Sequence, residues 1–431
     1  MKELAPEFDI LYRSPNPDKD FPYSPAIKIL TNGRYVASID VSDTYGKIYV
    51  SDDKGKTWKL MAEALYWHAS IFNDGDRLYL LGCSSERRSD LIVMYSDDNG
   101  DTWTEPAFLT HGEDWCHAAT DVWYKDGYVY IAMDQHVLKA GEVIKSAWKP
   151  CIVAPVLLRG KLGTDLSKRE NWLFSDQLRC IDAIPEKDLD YFGIPFFKSA
   201  EEVDDLSGYT MLPAKYRKNY NFETETPGID FCFHALAWLE ANVVQITDPR
   251  HYWYDPTGKT LHIFMRCNTH GTGYCALVKA VERVVDGKEV INIEPETVPS
   301  GRKIFILPMP GGQNKFYVKY DEKTKLYWLL SVQPRDSMSR IEFLSEDRFN
   351  VPSDERDRLA LHFSRNMVDW CFAGLVAQSG HDKQSRHYAS MDFDGEDMII
   401  LSRSGDEDAH SAHDGNIITM HRVKNFRDLV Y

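Results

Sequence analysis

The sequence lacks any long apolar run. No such run approaches the roughly 18 residues of a transmembrane helix, so we expect no membrane span. The N-terminal residues MKELAPEFDILY also lack the apolar segment of a signal peptide. A cytoplasmic location is therefore expected, unless the sequence is the trimmed form of a secreted protein.

Paired cysteines and positive charge are also scarce. The eight cysteines are irregularly spaced and form no CxxC motif, which indicates reduced thiols rather than a disulfide framework. Asp and Glu number 66 against 50 Lys and Arg, giving a net charge of −16. This excess argues against nucleic acid or an anionic membrane as a partner. The excess does not exclude an anionic ligand, because a site can be locally basic.

Two eight-residue segments share the pattern S-x-D-x-G-x-T-W. Ser51–Trp58 reads SDDKGKTW and Ser96–Trp103 reads SDDNGDTW. Each follows a β-rich run and predicts a tight turn, in which the Ser and Asp side chains bind backbone amides and the Gly supplies a positive φ. Neither segment carries a reactive group, so both are interpreted as scaffold.

Hairpin turns recur along the chain and predict an all-β fold. Six segments of this kind lie between β-rich runs: Thr31–Arg34, Asn73–Arg77, Lys125–Tyr128, Asp255–Lys259, Tyr320–Lys325 and Phe393–Asp397. Such repeats are typical of β-propeller blades. We expect a single propeller domain of six blades, with five or seven left open. Its first strands should begin near Pro25, His68, His117, Glu240, Lys315 and Tyr388.

Three segments complete this organisation. The interval before Glu240 is too long for one blade, so residues 182–230 are predicted to form a mixed insertion between blades three and four, over one face. Asn366–Phe372 is interpreted as a degenerate version of the repeated turn, in blade five. The N-terminal strand within Phe8–Arg13 is expected to pair with the last blade and close the ring, which removes free sheet edges.

In a propeller, the starts of the first strands and the ends of the second strands meet at one mouth, and polar residues occur at these places here. Buried polar groups cost about 1–3 kcal/mol each unless paired, which favours a wet pocket. Arg266, Arg335 and Arg403 end three second strands. They could bind an anionic sugar through bidentate bonds, or each could pair with a neighbouring carboxylate.

Candidate catalytic groups stand at the heads of first strands. Glu240 begins an otherwise apolar strand, so it is interpreted either as a catalytic residue or as one member of a structural ion pair. His68 and His117 occupy equivalent places and could be acid, base or packing residues. Tyr388 could act as a nucleophile if a carboxylate takes its proton. Further polar candidates for substrate contact are Asn242, Gln313, His387 and Asp134. No third ligand has convincing spacing, so no metal site is predicted.

The repeated octapeptide resembles the Asp-box of the sialidase-like β-propellers, where it lies between the third and fourth strands of a blade. WLEANVV followed by GKTLHIFMR, and the later HYASM, are similar to that family's catalytic strands. The resemblance implies Glu240 as the base, Tyr388 as the nucleophile and Arg266 as a carboxylate-binding residue. It implies Asp43 as the acid, with Asp40 as the second choice.

The chain also departs from this family. Ser24-Pro25-Ala26 replaces the first-blade R-I-P motif, and Gln313, Asn314 or Lys315 replaces the blade-five Arg. The chain looks more like divergent sialidase-like propellers of polysaccharide-degrading bacteria, through Trp238–Asn242, Pro310–Phe316 and His413–Arg422.

Three functional hypotheses follow from these residues. The first is an exo-acting glycoside hydrolase on a terminal anionic or deoxy sugar of an oligosaccharide, not typical sialic acid, with no cofactor. The second is a lyase on a uronic-acid glycoside, which the His and Tyr residues would serve as base and acid. The third is a sugar-binding propeller without catalysis.

Overall fold

The computed structural model describes residues 2–42, 45–85, 89–142, 152–184, 237–267, 273–336, 355–380 and 383–431. Nearly all regular structure in these ranges is β. The described helices are the one-turn helix α1 (Cys180–Ala183) and two 3-10 turns at Arg169–Asn171 and Phe426–Leu429.

The strands form six antiparallel sheets of four or five strands, one per blade. The first strand is β1 (Asp9–Arg13). Blade one contains β2 (Pro22–Ile29), β3 (Tyr35–Val41), β4 (Gly46–Ser51) and β5 (Lys59–Ala64). Blade two contains β6 (Trp67–Asp74), β7 (Arg77–Cys83), β8 (Leu91–Ser96) and β9 (Ala107–Phe108). Blade three contains β10 (Trp115–Cys116), β11 (Trp123–Lys125), β12 (Tyr128–His136), β13 (Val153–Lys161) and β14 (Trp172–Phe174).

The second half repeats this layout. Blade four contains β15 (Trp238–Val244), β16 (Thr260–Cys267), β17 (Tyr274–Val285) and β18 (Lys288–Glu294). A small ladder of β19 (Glu296–Thr297) and β20 (Lys303–Ile304) follows, and β21 (Ile306–Pro308) pairs with β17. Blade five contains β22 (Tyr317–Asp321), β23 (Leu326–Val332), β24 (Arg358–Ser364) and β25 (Cys371–Gln378). Blade six contains β26 (Arg386–Asp394), β27 (Asp397–Ser404) and β28 (Ile417–Val423).

The ring closes as the sequence predicts. Strand β1 pairs with β28, so blade six takes its fourth strand from the N-terminus. Six apolar cores then fill the six junctions between neighbouring blades. One core joins blades six and one, for example through Ile399 and Ile39, and another joins blades four and five through Phe264 and Leu329. The other four junctions have cores of the same kind. A closed ring of six blades is therefore confirmed.

The repeated turn has the same hydrogen bonds in both copies. In each, the Gly amide donates to the Ser hydroxyl at 2.8 Å, and the Thr amide donates to the Asp carboxylate at 2.8 Å. Gly55 and Gly100 have φ values of 87° and 90°, which only glycine adopts without strain. Both turns join the third and fourth strands of a blade. The six hairpin turns also lie between first and second strands, as expected.

A buried ion cluster joins first strands across the axis. Lys319 on β22 donates to Asp121, between β10 and β11, at 2.9 Å, and lies 3.4 Å from Asp392 on β26. Asp392 also accepts the Ile29 amide of blade one at 2.7 Å. Blades three, five and six are brought together only because their innermost strands surround one axis. Of the predicted insertion, residues 185–230 lie outside the described ranges.

We expect Lys319→Met to lower the free energy of unfolding by about 3–5 kcal/mol, because it leaves the buried carboxylate of Asp392 and the partly buried carboxylate of Asp121 without their cation. Urea denaturation measures this change. Lys323→Met is the matched control, since Lys323 forms an exposed pair with Glu396 on the same hairpin. It should cost less than about 1 kcal/mol. Equal unfolding midpoints for the two variants would contradict the role assigned to the cluster.

Candidate active site

Four first strands share a backbone distortion at the mouth of the ring. Ser24, His68, Glu240 and Tyr388 have positive φ values of 27°, 51°, 61° and 47°. In each case the pairing register shifts at this residue, as in a β-bulge. A left-handed conformation costs a non-glycine residue about 1–2 kcal/mol. Bulges re-aim side chains, and such strain concentrates at functional sites, so these four heads are candidates for chemistry.

The structure brings Glu240 and Tyr388 together. The Tyr388 hydroxyl donates a short hydrogen bond to Glu240 Oε1. Arg266 Nη1 lies 3.4 Å from the same carboxylate oxygen and 3.2 Å from Tyr388 Oη, and Arg266 Nε donates to the Gln313 carbonyl at 2.9 Å. All three side chains are at least nine-tenths buried. Burial raises the pKa of Tyr388, the charge of Glu240 raises it further, and that of Arg266 lowers it.

Two more guanidinium groups flank the tyrosine ring. The Cζ atoms of Arg356 and Arg403 lie 5.8 and 5.2 Å from the centre of the Tyr388 ring. Arg356 also contacts His387 Nδ1 at 3.0 Å. Burial and the charge of Arg356 lower the pKa of His387, which keeps this imidazole neutral. Three Arg residues therefore surround Tyr388.

The sequence patterns predict site residues on first and second strands only, so they do not identify Arg356. It precedes the third strand of blade five and stands between two acidic residues. This pattern is typical of a run of charged residues on a solvated surface. Its burial is nearly complete at 3% exposure. Arg335 is the blade-five Arg that the sequence predicts. Arg335 lies 3.4 Å from Glu355 and 3.5 Å from Asp357, with about a third of its side chain exposed, and its substrate contact stays a prediction.

The two candidate histidines each face a buried aspartate. His68 Nδ1 lies 3.3 Å from Asp40 Oδ2, and His117 Nδ1 lies 3.8 Å from Asp134 Oδ2. Asp134 also accepts the backbone amide of Glu240 at 2.5 Å, and thereby ties blade three to the head of blade four. Burial lowers the pKa of His68, and the charge of His117 lowers it further. A neutral His68 can accept a proton.

A polar chain links blade six to blade one. Tyr23 donates to Asp414 at 3.0 Å, and Asp414 also accepts from His413 at 2.7 Å and from Arg403 at 3.2 Å. The guanidinium of Arg403 stacks 3.8 Å above the Tyr23 ring. Burial lowers the pKa of His413 to about 4, aided by the charge of Arg403. The loop that carries His413 therefore borders the site.

Blade five presents a rigid turn instead of a bulged strand. A Cβ on Gly311 would lie 2.4 Å from the Val332 carbonyl, and one on Gly312 would lie 2.5 Å from the Tyr274 carbonyl. The next two residues, Gln313 and Asn314, are buried, and their side-chain amides have no hydrogen-bond partner among the described residues. Such groups favour a polar ligand.

Two other predicted residues have different surroundings. The Asn242 amide donates to the Glu240 carbonyl at 3.1 Å and accepts the Val318 amide at 3.2 Å. It joins backbones of neighbouring blades, and its substrate contact stays a prediction. Asp43 lies outside the described residues, so the predicted acid has no observed position.

Within the described ranges, no group of three or more His, Cys, Asp or Glu residues could hold a metal ion. No helix in those ranges is both long and apolar enough to cross a membrane.

Comparison with known proteins gives structural relatives alone. No family model and no curated protein matches the chain. The intramolecular trans-sialidase from Ruminococcus gnavus, solved with oseltamivir carboxylate, has a TM-score of 0.51 at 10% identity, covering 98% of each chain. A protein of unknown function from Dyadobacter fermentans has a TM-score of 0.51 at 11% identity, covering 97% of this chain and 98% of its own. A variant α-L-arabinofuranosidase from Fusarium graminearum, solved with an iminosugar inhibitor, has a TM-score of 0.50 at 10% identity, covering 98% of each.

These similarities and the six junction cores agree on architecture. The chain is an all-β, six-bladed propeller.

Proposed function

We propose that this protein is an exo-acting glycoside hydrolase whose nucleophile is Tyr388. The observation that carries the proposal is the hydrogen bond from Tyr388 to Glu240 beside Arg266. A free phenol is a weak nucleophile near neutral pH, since its pKa is about 10. A carboxylate that accepts the phenol proton removes this limitation.

The reaction then has two steps. Tyr388 Oη attacks the anomeric carbon while its proton passes to the Glu240 carboxylate, and the glycosidic C–O bond breaks. The leaving oxygen takes a proton from an acid, the role predicted for Asp43. Water then attacks the anomeric carbon and gives a proton to the conjugate base of that acid, while the tyrosyl–sugar bond breaks and Glu240 returns its proton to Tyr388 Oη. Two displacements at one carbon give retention of anomeric configuration.

The bound sugar is proposed to be anionic. Arg266, Arg356 and Arg403 surround Tyr388, and a guanidinium can bind a carboxylate through two parallel hydrogen bonds. The protein as a whole has a net charge of −16, so this cluster is a local exception to the overall charge. An oligosaccharide that ends in a deoxy sugar next to an anionic sugar is also compatible with this Arg cluster. Two structural relatives, a trans-sialidase and an arabinofuranosidase, carry sugar-processing sites on this fold, which supports a glycosidase.

A second candidate reaction is elimination from a uronic-acid glycoside. The pairs His68–Asp40 and His117–Asp134 favour it, because a His beside a carboxylate can remove a proton next to a sugar carboxylate. In that case the Arg cluster would neutralise the acid group.

We expect Tyr388→Phe and Glu240→Gln each to lower kcat of the hydrolase at least about 1,000-fold, because each removes one half of the activated nucleophile. Steady-state kinetics on oligosaccharides with terminal anionic sugars measures the loss. Circular dichroism and thermal unfolding provide the folding control. Two well-folded variants with full activity would refute this mechanism.

We expect Arg356→Ala to lower kcat/KM about 10–100-fold, the value of one charged hydrogen bond, mainly through KM. The loss should be larger for an anionic sugar than for its neutral methyl ester. Arg250→Ala is the matched control, since Arg250 is exposed and pairs with Asp248 on the surface. An equal loss on ester and acid would argue against carboxylate binding by Arg356.

Product analysis separates the two reactions. A hydrolase should release a saturated sugar, initially with the anomeric configuration of the substrate, which proton NMR detects. A lyase should instead yield an unsaturated uronide with strong ultraviolet absorbance, and His117→Ala should abolish it. Binding without any product would indicate a sugar-binding propeller.

A further inference from the structure

His413 is a half-exposed residue beside the reaction centre that the proposed mechanism does not use. The centre of its ring lies 6.5 Å from that of Tyr388 and 6.4 Å from that of His387. Its side chain is 47% exposed, so it is open to a ligand at the mouth of the ring. Both polar contacts of the imidazole are made by Nδ1, and Nε2 has no hydrogen-bond partner among the described residues. This nitrogen is therefore a candidate ligand contact.

Asp414 determines which ring nitrogen of His413 carries the proton. His413 Nδ1 lies 2.7 Å from Asp414 Oδ1. That oxygen also accepts from Tyr23 at 3.0 Å and from Arg403 at 3.2 Å. Burial opposes ionisation of Asp414, but the contact with His413 and the charge of Arg403 lower its pKa overall. Because a carboxylate has no proton to donate, the hydrogen in the 2.7 Å contact belongs to Nδ1. In the neutral imidazole, Nε2 is then a hydrogen-bond acceptor.

The surroundings of His413 keep the imidazole neutral. Charged and titratable groups face it from several elements: Arg403 on β27, Asp414 in the same loop, His387 and Tyr388 on β26, Tyr23 on β2 and Arg356 before β24. Partial burial lowers the pKa of His413 to about 4, the charge of Arg403 adds to this effect, and Asp414 opposes it. Near neutral pH, Nε2 therefore has a lone pair available.

The loop that carries His413 and Asp414 is anchored to blade six. A Cβ on Gly415 would clash with the Ser404 carbonyl, so the backbone after Asp414 packs directly against β27. The Asp414 amide also donates to Ser411 Oγ at 2.8 Å. These contacts hold the imidazole in place before a ligand binds, which reduces the entropic cost of binding.

The Arg residues around Tyr388 have the opposite hydrogen-bonding character. Arg266, Arg356 and Arg403 are donors without any acceptor atom. They suit a carboxylate, but they cannot accept the proton of a sugar hydroxyl. The Nε2 atom of His413 complements them, because it offers an acceptor on the same side of the site.

We propose that His413 Nε2 accepts a hydrogen bond from a free hydroxyl of the terminal sugar, and that Asp414 keeps the imidazole in the tautomer that can do so. The substrate class is then a hydroxylated sugar acid whose carboxylate faces the Arg cluster. This inference rests on the proposed function for the place of the sugar beside Tyr388. It concerns binding and selectivity, and it assigns no bond-making step to His413.

The tautomer is tested on the protein alone. Long-range ¹H–¹⁵N NMR at about pH 7 distinguishes the protonation states of each imidazole, and His413→Asn identifies the signals of His413. We expect a neutral ring with its proton on Nδ1. Asp414→Asn should raise the population with the proton on Nε2. Asp408→Asn is the matched control, since Asp408 is exposed in the same loop, and it should leave these signals unchanged. A protonated His413, or a ring with its proton on Nε2, would overturn the inference.

Selectivity is tested by calorimetric binding to the wild type and to variants of His413. The probes are sulfur-linked disaccharides with a terminal glucuronic or galacturonic acid, which resist hydrolysis, and their monodeoxy analogues. One analogue should bind the wild type about 10-fold more weakly than its parent, through the loss of one hydrogen bond. His413→Asn keeps a donor for Asp414 but has no atom at the Nε2 position, so it should bind this parent and analogue equally. His413→Gln places an amide there and should recover most of the difference.

His410→Asn is the matched control for these titrations. His410 is an exposed residue of the same loop, 3.6 Å from the exposed Asp18, and its replacement should leave every affinity unchanged. The inference is overturned if each analogue loses the same factor in His413→Asn as in the wild type. Should His413→Asn fail to fold, Asp414→Asn gives the same test, because the altered tautomer should also remove the preference for the hydroxyl.

The outcomes separate this inference from the proposed function. If Tyr388→Phe and Glu240→Gln stay active while the hydroxyl preference depends on His413, the hydrolase mechanism is wrong and the contact stands. If both variants are inactive while the preference is independent of His413, the mechanism stands and the role of His413 is refuted. If no sugar acid binds, the substrate class named here is wrong, whereas the loss of activity in Tyr388→Phe on a neutral sugar would still support the nucleophile.

Discussion

The hydrogen bond between Tyr388 and Glu240 depends on the closure of the whole ring. The two residues are 148 positions apart and stand on different blades. They meet because β1 pairs with β28 and because six junction cores fix each blade against the next. An open ring would leave sheet edges free and would separate the two groups. The chemistry of the site is therefore a consequence of architecture more than of any local segment.

Backbone strain at the mouth follows from the same architecture. A strand side chain normally points to one of the two sheet faces, and in a propeller both faces are covered by neighbouring blades. A bulge with a left-handed residue is a means of turning one side chain towards the axis. Glu240 and Tyr388 both have this conformation, as does His68. Glycine would adopt it at lower cost, so the side chains retained there are candidates for function.

Most of the fold is predictable from local sequence, whereas part of the site depends on contacts between residues far apart in the chain. The repeated octapeptide and the hairpin turns specify their conformations through nearby residues, and the hydrophobic strands between them set the blades. Glu240 and Tyr388 could be found because polar heads on apolar strands are costly. Arg356 could not, since only its burial beside Tyr388 distinguishes it from a surface charge. Lys315 was one of three residues considered for an Arg position, and its contact with blade six depends on ring closure.

Equivalent positions around the ring carry opposite charges, so the electrostatic potential differs between the two halves of the mouth. In blades one, three, four and six, the residue just before the head of the first strand pairs with a charged residue on the second strand. This partner is Asp40 in blade one and Asp134 in blade three, but Arg266 in blade four and Arg403 in blade six. One half of the mouth therefore places carboxylates beside His68 and His117, and the other half presents guanidinium groups. An anionic sugar would be repelled by the first half and attracted by the second, beside Tyr388. For the anionic substrate proposed above, this distribution would set the orientation before any specific contact forms, because position around the ring determines the sign of the charge.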